Sequence, residues 1–219
     1  MRRDPSATGP SAVLAGFLIS VATDVADQRD ALNRLDGVAG DGDLGLTVAG
    51  AAGALGEIVE TIAALETGEA IRRAGSEIAR RAPSTGGTLI AFAMMAAGRT
   101  DVTMEPTPSA TAAAYVEAAV QAIASRGKVA PGDKTMLDAL QPAAAALRRS
   151  ASDGATLATA FADAAAAADG GATRTATMPA TVGRAAWLAE RSMGHEDAGA
   201  RLVALVFASA ARRLAALDR

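Results

Sequence analysis

Three aspartates stand close together in the segment LDGVAGDGDLGLT, which runs from residue 35 to residue 47. Asp36, Asp41 and Asp43 are interleaved with glycines, and no Lys, Arg or His lies between them. Two carboxylates about 4 Å apart repel each other by roughly 4 kcal/mol at an effective dielectric constant near 20, a cost that a divalent cation reverses. The spacing therefore indicates a metal site, although a tight turn with an aspartate helix cap would also account for the GDGD part taken alone.

The types of ligand in this segment narrow the choice of metal. Oxygen donors without a nearby His or Cys favour Mg²⁺ or Ca²⁺ over zinc or copper. An EF-hand does not fit, because its loop closes on a glutamate and this segment contains none. Mg²⁺ held by few protein ligands usually keeps phosphate oxygens as partners, and the glycines would let backbone amides approach them. The segment therefore predicts a magnesium-bound nucleotide.

Two further segments suit a phosphate-bearing ligand. PSTGGT, residues 83–88, offers hydroxyls and free amides at a predicted helix start, and RGKVAPGDKTMLDALQPA, residues 126–143, places Gly132 and Asp133 before an amphipathic helix. Lys134 in the second segment either contacts a phosphate or is a solvated side chain in the first helical turn. The sequence contains neither a Walker A motif nor a kinase-type glycine loop.

The elements that must position these residues are predicted to be helices. Half of the 219 residues are apolar, aromatic residues make up 3%, and β-branched residues form no alternating runs, so the sequence predicts an all-α protein packed through small side chains. The stretch LIAFAMMAAG is apolar on every side and is predicted to be a buried central helix. Residues 1–10 are expected to be a flexible tail and residues 11–219 a single domain. The helices are predicted at about 11–36, 46–65, 67–82, 89–98, 110–126, 133–150, 155–169, 180–192 and 196–217.

Charge and cysteine content exclude several classes of function. The formal net charge is −3 and the basic residues form no long run, so nucleic acid is not an expected partner. The absence of Cys excludes disulfides, thiolate catalysis and Cys-ligated metals, and it is compatible with a reducing compartment. No apolar stretch long enough for a signal peptide or a membrane span occurs before Asp24. We therefore expect a soluble, cytoplasmic protein without a membrane partner.

Three segments, taken together and in this order, resemble the nucleotide-binding L subunit of bacterial dihydroxyacetone kinase, which also occurs as the C-terminal domain of single-chain kinases. They are LDGVAGDGDLG, RGKVAPGDKTMLDAL and GRAAWLAERSMGHEDAGA, which begin at residues 35, 126 and 183. The resemblance covers nearly the whole chain from about Ser11. It implies a closed antiparallel barrel of about eight helices, with Mg²⁺-bound ADP or ATP in the loops at one end.

The resemblance also implies roles for individual residues, none of them as a catalytic acid or base. Asp36, Asp41 and Asp43 match the ligands of two Mg²⁺ ions that bridge the nucleotide phosphates and neutralise charge on the transferred group. This chain departs from the family in having Leu44 where His is usual, Thr47 where Asn is usual, Ala198 where Pro is usual, and PSTGGT in place of a Ser-Gly-Pro sequence. Leu44 removes a polar contact to the nucleotide. The positions matching nucleotide contacts are Leu44, Gly45, Leu46, Thr47, Ser84, Thr85, Gly127, Met136, Arg184, Asp197, Ala198 and Gly199.

By this resemblance the chain would be one subunit of a glycerone-kinase-type phosphotransferase of glycerol metabolism. It would transfer a phosphoryl group from Mg²⁺-bound ATP, or from tightly bound ADP rephosphorylated by a phosphotransferase-system protein. The acceptor would be dihydroxyacetone or a related small ketose held by a partner K subunit, and a homodimer is also compatible. Two alternatives stay open: a non-catalytic ADP-binding regulatory protein, which Leu44 favours, and a purely structural helical bundle, in which Asp41→Asn would change no ligand binding.

Other conspicuous residues are expected to be structural. His195 is predicted to be a hydrogen-bonding group and not a phosphate carrier. Met94, Met95 and Trp187 are predicted to be core side chains. Four arginines are predicted to lie on exposed helix faces, namely Arg148, Arg149, Arg212 and Arg213.

Overall fold

The computed structural model of the protein describes residues 10–82 and 84–218, and throughout these ranges the regular structure is helical, with no β-strand. The predicted all-α class is confirmed. The predicted tail lies outside the described residues except for Pro10, which begins the first helix. The helices are α1 (Pro10–Ala26), α2 (Arg29–Asp36), α3 (Leu44–Glu57), α4 (Val59–Ala63), α5 (Thr67–Arg81), α6 (Thr85–Ala97), α7 (Pro108–Gly127), α8 (Leu137–Ser152), α9 (Leu157–Arg174), α10 (Ala189–Ser192) and α11 (Ala198–Leu217), with short 3₁₀ turns at Thr175–Thr177 and Arg184–Leu188.

Eight of the described helices contact one another in a continuous order. α1 packs on α3, α3 on α5, and from α5 each successive long helix packs on the next through α6, α7, α8, α9 and α11, which returns to α1. The short helix α2 contacts α3 and α11, and α4 contacts α1 and α5. Because the last helix packs on the first, the loop that follows α2 comes to lie beside the segment that precedes α11.

Small side chains bring α8, α9 and α11 close together. Every fourth residue of α9 from Ala160 to Ala172 is a fully buried alanine, so one narrow stripe of the helix faces the core. The approach is closest at Gly171, where a Cβ atom would lie 2.4 Å from the backbone oxygen of Asp138. This contact fixes the first turn of α8, and with it the loop that precedes α8, against the rest of the protein.

The predicted helix over residues 11–36 is two helices, α1 and α2, separated at Asp27 and Gln28. The Gln28 N–H donates to the Val25 carbonyl, 3.0 Å away and only three residues back, and α2 starts with the Leu32 N–H donating to the Gln28 carbonyl at 2.9 Å. Val25 and Leu32 are nevertheless buried in the same cluster. Apolar spacing therefore continues across the break, which is why the sequence alone did not reveal it. The predicted helix over 46–65 is likewise interrupted at Ile58.

The predicted long helix over residues 180–192 is wrong. The chain there forms a 3₁₀ turn at Arg184–Leu188 and then the single-turn helix α10. Gly183 and Gly194, with φ values of 66° and 81°, stand near its two ends in a conformation that favours glycine. Trp187 is 86% exposed, so its predicted place in the core is also wrong. A segment with several alanines but no continuous apolar stripe buries little apolar surface. The packing energy is then too small to hold the segment as a helix against the core.

Some other side chains are also placed differently from their predictions. Helix α6 is only partly buried, with Ala91, Ala93 and Ala97 inside and its larger side chains half-buried. Arg148 and Arg213 are ion-paired and not simply exposed: Arg148 Nε donates to Glu117 at 3.0 Å, and Arg213 Nε donates to Asp24 at 2.9 Å. Among the described residues, no helix is both long and apolar enough to cross a membrane.

Candidate functional site

The acidic loop, residues 36–43, is shaped by its own first residue. Asp36 ends α2, and its Oδ2 accepts hydrogen bonds from the backbone N–H groups of Gly42, at 2.8 Å, and Asp43, at 3.0 Å. The chain passes so close to this carboxyl group at Gly40 that a Cβ atom there would lie 2.4 Å from Asp36 Oδ1. The glycines therefore allow the loop to fold back over Asp36 and bring the later aspartates beside it.

The loop gathers the three carboxylates that the sequence singled out. One oxygen atom from each of Asp36, Asp41 and Asp43 lies within 4.8 Å of the other two. Partial desolvation, followed by the negative charges of Asp41 and Asp36, raises the pKa of Asp43. An uncompensated cluster of this kind costs free energy that a cation recovers. All the donors are carboxylate oxygens, the ligand type that Mg²⁺ and Ca²⁺ prefer.

Four helices begin close to this loop. α3 starts directly after Asp43, α8 starts after Met136, and the other two carry side-chain caps. Ser84 Oγ accepts from the Gly87 N–H at 3.0 Å at the start of α6, and Asp197 Oδ1 accepts from the Ala200 N–H at 2.7 Å at the start of α11. Helix amino ends present free N–H groups and partial positive charge, so this arrangement suits a phosphate group.

A cleft of about 1100 Å³ lies between the helix starts and the acidic loop. This volume is sufficient for a nucleotide, since small-molecule sites occupy roughly 300–1000 Å³. The first turns of α6, the end of α7 and the loop before α8 form another wall, where Leu89, Ile123 and Val129, respectively, supply apolar surface. Twelve of the fifteen residues predicted from the sequence line the cleft: Asp36, Asp41, Asp43, Leu44, Ser84, Thr85, Gly127, Met136, Arg184, Asp197, Ala198 and Gly199.

The structure does not bring Gly45, Leu46 and Thr47 to the cleft. The Gly45 N–H donates to Asn33 Oδ1 at 2.7 Å, and Thr47 Oγ1 donates to Ser84 Oγ at 3.0 Å, so both residues brace the walls. Leu46 is 57% exposed. Leu44, by contrast, is buried among the side chains between α1, α3 and α11 and presents an apolar surface to the cleft.

The loop before α8 is held by Asp138, a residue that the sequence analysis missed. Its Oδ1 accepts from the Gly132 N–H at 2.6 Å, and its Oδ2 accepts from the Thr135 N–H at 2.8 Å. A carboxylate three residues after a threonine in a glycine-containing turn is a recognisable sign of such loop capping. Because these bonds replace helical ones, α8 begins at Leu137 and not at the predicted residue 133.

Lys134, in the same loop, is not solvated, although it belongs to the lining of the cleft. Its side chain is buried, and Nζ donates to three backbone carbonyl oxygens: Met178 at 3.1 Å, Ser192 at 2.6 Å and His195 at 2.9 Å. Burial lowers the pKa of Lys134. The alternative of a solvated side chain in the first helical turn is therefore wrong, and the hydrogens of the ammonium group are used by backbone carbonyls.

Residues 178–195, the arginine loop, carry Arg184 across the mouth of the cleft. Its guanidinium is ion-paired with Asp41, a residue 143 positions away, and this hydrogen bond lowers the pKa of Asp41 and raises that of Arg184. Thr181 Oγ1 donates to Asp133 Oδ1 at 2.5 Å and fastens the loop a second time. A single cation from a distant segment thus offsets part of the negative charge of the acidic loop.

Asp197 closes the site where the arginine loop meets α11. Burial, opposed by the hydrogen bond from Ala200 and reinforced by the negative charge of Asp138, raises the pKa of Asp197 to about 6. Its own backbone N–H donates to the buried Thr175 Oγ1 at 2.8 Å. Gly199 packs against it so closely that a Cβ atom would lie 3.1 Å from Asp197 Oδ1.

Residues 38–212 match the family described as the DAK2 domain. The chain is 32% identical over 177 residues to the PEP-dependent dihydroxyacetone kinase, ADP-binding subunit DhaL, of Escherichia coli (strain K12), covering 80% of this chain and 84% of that protein. It is 36% identical over 189 residues to the D-erythrulose kinase of Mycolicibacterium smegmatis, covering 85% of this chain but 32% of that protein.

Solved structures agree with the sequence comparison. The structure of the dihydroxyacetone kinase of C. freundii in complex with AMP-PNP and Mg²⁺ matches with a TM-score of 0.73 and 25% identity, over 97% of this chain and 36% of that one. The native form of the same kinase matches with a TM-score of 0.72. The chain therefore spans about a third of the length of these longer kinases and most of the length of the DhaL subunit.

Proposed function

Because this chain belongs to the DAK2 domain family and is DhaL-like, we propose that it is the nucleotide-binding part of a dihydroxyacetone-kinase-type phosphotransferase. The proposed reaction moves a phosphoryl group from Mg²⁺-bound ATP, or from bound ADP that is rephosphorylated in place, to a hydroxyl group of a small hydroxy-ketone. The observation that carries this proposal is the convergence of three carboxylates, within 4.8 Å of one another, at a cleft where four helices begin.

The residues present fit a magnesium nucleotide. Mg²⁺ binds few protein carboxylates and completes its shell with water and phosphate oxygens, so three aspartates offer enough oxygens for the two ions we propose. Bound Mg²⁺ supplies neutralisation of the charge on the transferred phosphoryl group. The chain's own residues position the phosphates: amides at the starts of α6 and α11 donate to them, and the apolar wall around Leu89, Val129 and Met136 receives the base.

We propose that residues 11–219 act as one domain and that the eight-helix order of contacts is a closed barrel. The contact between α11 and α1 supports this arrangement, because each of the eight helices then packs against two neighbours in the order. The site then lies in the loops at one end of the barrel, where the acidic loop, the start of α6, the loop before α8 and the arginine loop all line one cleft.

The acceptor is proposed to be held by a partner subunit. The longer relatives that include an equivalent of this chain are named for dihydroxyacetone and erythrulose kinases, and this chain matches only about a third of them. We therefore propose a K-type partner that presents dihydroxyacetone or a four-carbon ketose to the mouth of the cleft. The name of the DhaL subunit, PEP-dependent and ADP-binding, supports the rephosphorylated-ADP route for that protein, and ATP is the other donor we propose to test here.

Calorimetric titration of ADP with Mg²⁺ into the wild type and Asp41→Asn tests the proposal. One wild-type sample is denatured first to measure nucleotide that is already bound. We expect metal-dependent binding by the wild type and at least about tenfold weaker binding by Asp41→Asn, as for loss of a group that supports a metal site. Asp30→Asn, an exposed aspartate near the start of α2, is the matched control and should bind like the wild type. A folded, nucleotide-free wild type that binds nothing would refute the proposal.

A second candidate function is a nucleotide-binding protein that performs no transfer. The buried, apolar Leu44 at the phosphate end of the cleft favours it, because that position offers no polar contact to a nucleotide. Turnover separates the two functions. The chain is mixed with the K subunit of a dihydroxyacetone kinase, dihydroxyacetone and either ATP or a phosphotransferase-system donor, and triose phosphate is measured. Product in either mixture supports the transferase, whereas tight ADP binding with no product in both mixtures supports the non-catalytic protein.

A further inference from the structure

The chain has two lysines, both in the segment between α7 and α8, and the structure treats them in opposite ways. Lys128 and Lys134 both have positive φ values, 52° and 60°, which is uncommon for residues other than glycine. Lys128 is exposed at the end of α7, but Lys134 is only 4% exposed. Lys134 therefore carries two free-energy costs, the burial of its ammonium group and the left-handed conformation of its backbone. The contacts of the ammonium group must compensate for both.

These contacts join the two ends of the arginine loop. Met178, whose carbonyl accepts at 3.1 Å, begins the loop, whereas Ser192 and His195, whose carbonyls accept at 2.6 and 2.9 Å, end it. The Gly194 N–H adds one backbone bond across the same base, to the Ala176 carbonyl at 2.9 Å. All three hydrogens of the ammonium group are therefore used, and Arg184 lies in the span that they enclose.

We propose that Lys134 is a positioning residue: its ammonium group closes the base of the arginine loop and so sets where Arg184 stands relative to the acidic loop and the bound phosphates. The closure itself rests on the hydrogen bonds. Its effect on ligand binding rests on the proposed function, because Arg184 faces a phosphate only if the cleft holds a nucleotide.

Apart from the bonds from Thr181 to Asp133, the rest of the arginine loop offers little to fix its shape. Trp187 is 86% exposed and Leu188 and Met193 are at least one-third exposed, so the loop buries few of its large apolar side chains. Its ion pair to Asp41 is exposed on both sides and is therefore weak and screened by salt. Charge-assisted hydrogen bonds from a buried ammonium group are stronger than such an exposed ion pair. Removing the ammonium group would leave three backbone carbonyl oxygens without this hydrogen-bond donor.

The test compares Lys134→Met with Lys128→Met. Trp187 is the only tryptophan of the chain and lies in the middle of the arginine loop, so its fluorescence anisotropy reports on that loop without any ligand or label. We expect the anisotropy of Trp187 to fall in Lys134→Met and not in Lys128→Met, both measured well below the melting temperature. Lys134→Arg, which keeps the charge and several donors, should recover part of the loss. Unchanged anisotropy in a folded Lys134→Met protein, with only a lower melting temperature, would overturn the proposal.

Binding of ADP with Mg²⁺ to the same variants measures the consequence for the site. We expect about tenfold weaker binding by Lys134→Met and an unchanged affinity for Lys128→Met. If the wild type binds no nucleotide, the proposed function fails, while the anisotropy still decides whether Lys134 closes the loop. If anisotropy falls but affinity does not, the positioning of Arg184 by Lys134 is refuted.

Lysine acylation of the wild type keeps the proposal testable if Lys134→Met does not fold. With two lysines in the chain, peptide mass spectrometry can follow each one separately after brief treatment with an acylating reagent. We expect rapid modification of Lys128 and slow modification of Lys134, slowed further by ADP with Mg²⁺, which holds the loop closed. Equal rates at the two lysines would contradict the proposal.

Discussion

The acidic loop and the arginine loop meet at the same cleft, but they are held in different ways. The acidic loop folds around Asp36, whose carboxyl group accepts from N–H groups six and seven residues further along. The arginine loop is fastened by residues far away in the chain: Lys134 at 44 to 61 positions and Asp41 at 143. One loop therefore carries its own geometry, and the other takes its geometry from the assembled fold.

Because the two loops are held differently, substitutions in them should have different effects on ligand binding. Disturbing the acidic loop should remove the metal ligands themselves, since the bonds that shape the loop and the carboxylates that bind are the same groups. Disturbing the arginine loop should leave the metal ligands in place. It should change only the positive charge that Arg184 places beside Asp41 and the proposed phosphates. Three substitutions, taken from the largest expected effect to the smallest, separate these cases.

Gly40→Ala should have the largest effect. A Cβ atom at this position would lie 2.4 Å from Asp36 Oδ1, so the loop must open or the carboxyl group must turn away. We expect the affinity for ADP with Mg²⁺ to fall by about a hundredfold, measured by calorimetry. Gly53→Ala in α3 is the control, because nothing lies within 4 Å of the position that its new Cβ atom would take; it should bind normally and gain about 0.5–1 kcal/mol of stability. Equal affinities for the two variants would mean that the acidic loop does not hold the ligand.

Arg184→Gln should change two affinities in opposite directions. Without the guanidinium, Asp41 has no competing cation, so Mn²⁺ alone, a spectroscopic substitute for Mg²⁺, should bind a few-fold more tightly. ADP with Mg²⁺ should bind about tenfold more weakly, because a charge-assisted contact to phosphate is lost. Arg191→Gln, an exposed arginine of the same loop, should change neither value. A parallel loss of both affinities would show that Arg184 supports the acidic loop and does not merely face it.

Asp197→Asn should have the smallest effect, seen as a dependence of stability on pH. The pKa of Asp197 in the folded protein is about 6, above the value of about 3.9 in an unfolded chain. The folded state therefore binds this proton more tightly, so the stabilising contribution is full at low pH and is lost as the pH rises through 6. Asn caps a helix as well as Asp does, so the variant keeps the bond to Ala200 without the desolvated charge.

Thermal unfolding measures this effect. We expect Asp197→Asn to melt at least about 3 °C above the wild type at pH 7.5, with the difference shrinking as the pH falls toward 4. Asp153→Asn, an exposed aspartate at the end of α8, should show no such dependence. A variant that is destabilised at pH 7.5, and less so as the pH falls toward 4, would indicate instead that the charge of Asp197 stabilises the fold.

Several features of the molecule were readable without the structure. The spacing of Asp36, Asp41 and Asp43 indicated their convergence because all three belong to one eight-residue loop. The helical class followed from composition, and most long helices occur close to the predicted positions. Breaks inside helices were missed where apolar spacing continued across them, as it does between Val25 and Leu32.

The sequence by itself thus determined most of the long helices and the acidic loop, because both depend on bonds between residues a few positions apart. Only the tertiary structure decided that Lys134 is buried, that Trp187 is exposed and that Arg184 reaches Asp41. Those outcomes depend on the return of α11 to α1 and on the close approach of α8 and α9 at Gly171, which bring distant segments together. An ammonium group has the same sequence signature whether water or three carbonyl oxygens surround it, and the fold alone selects between them.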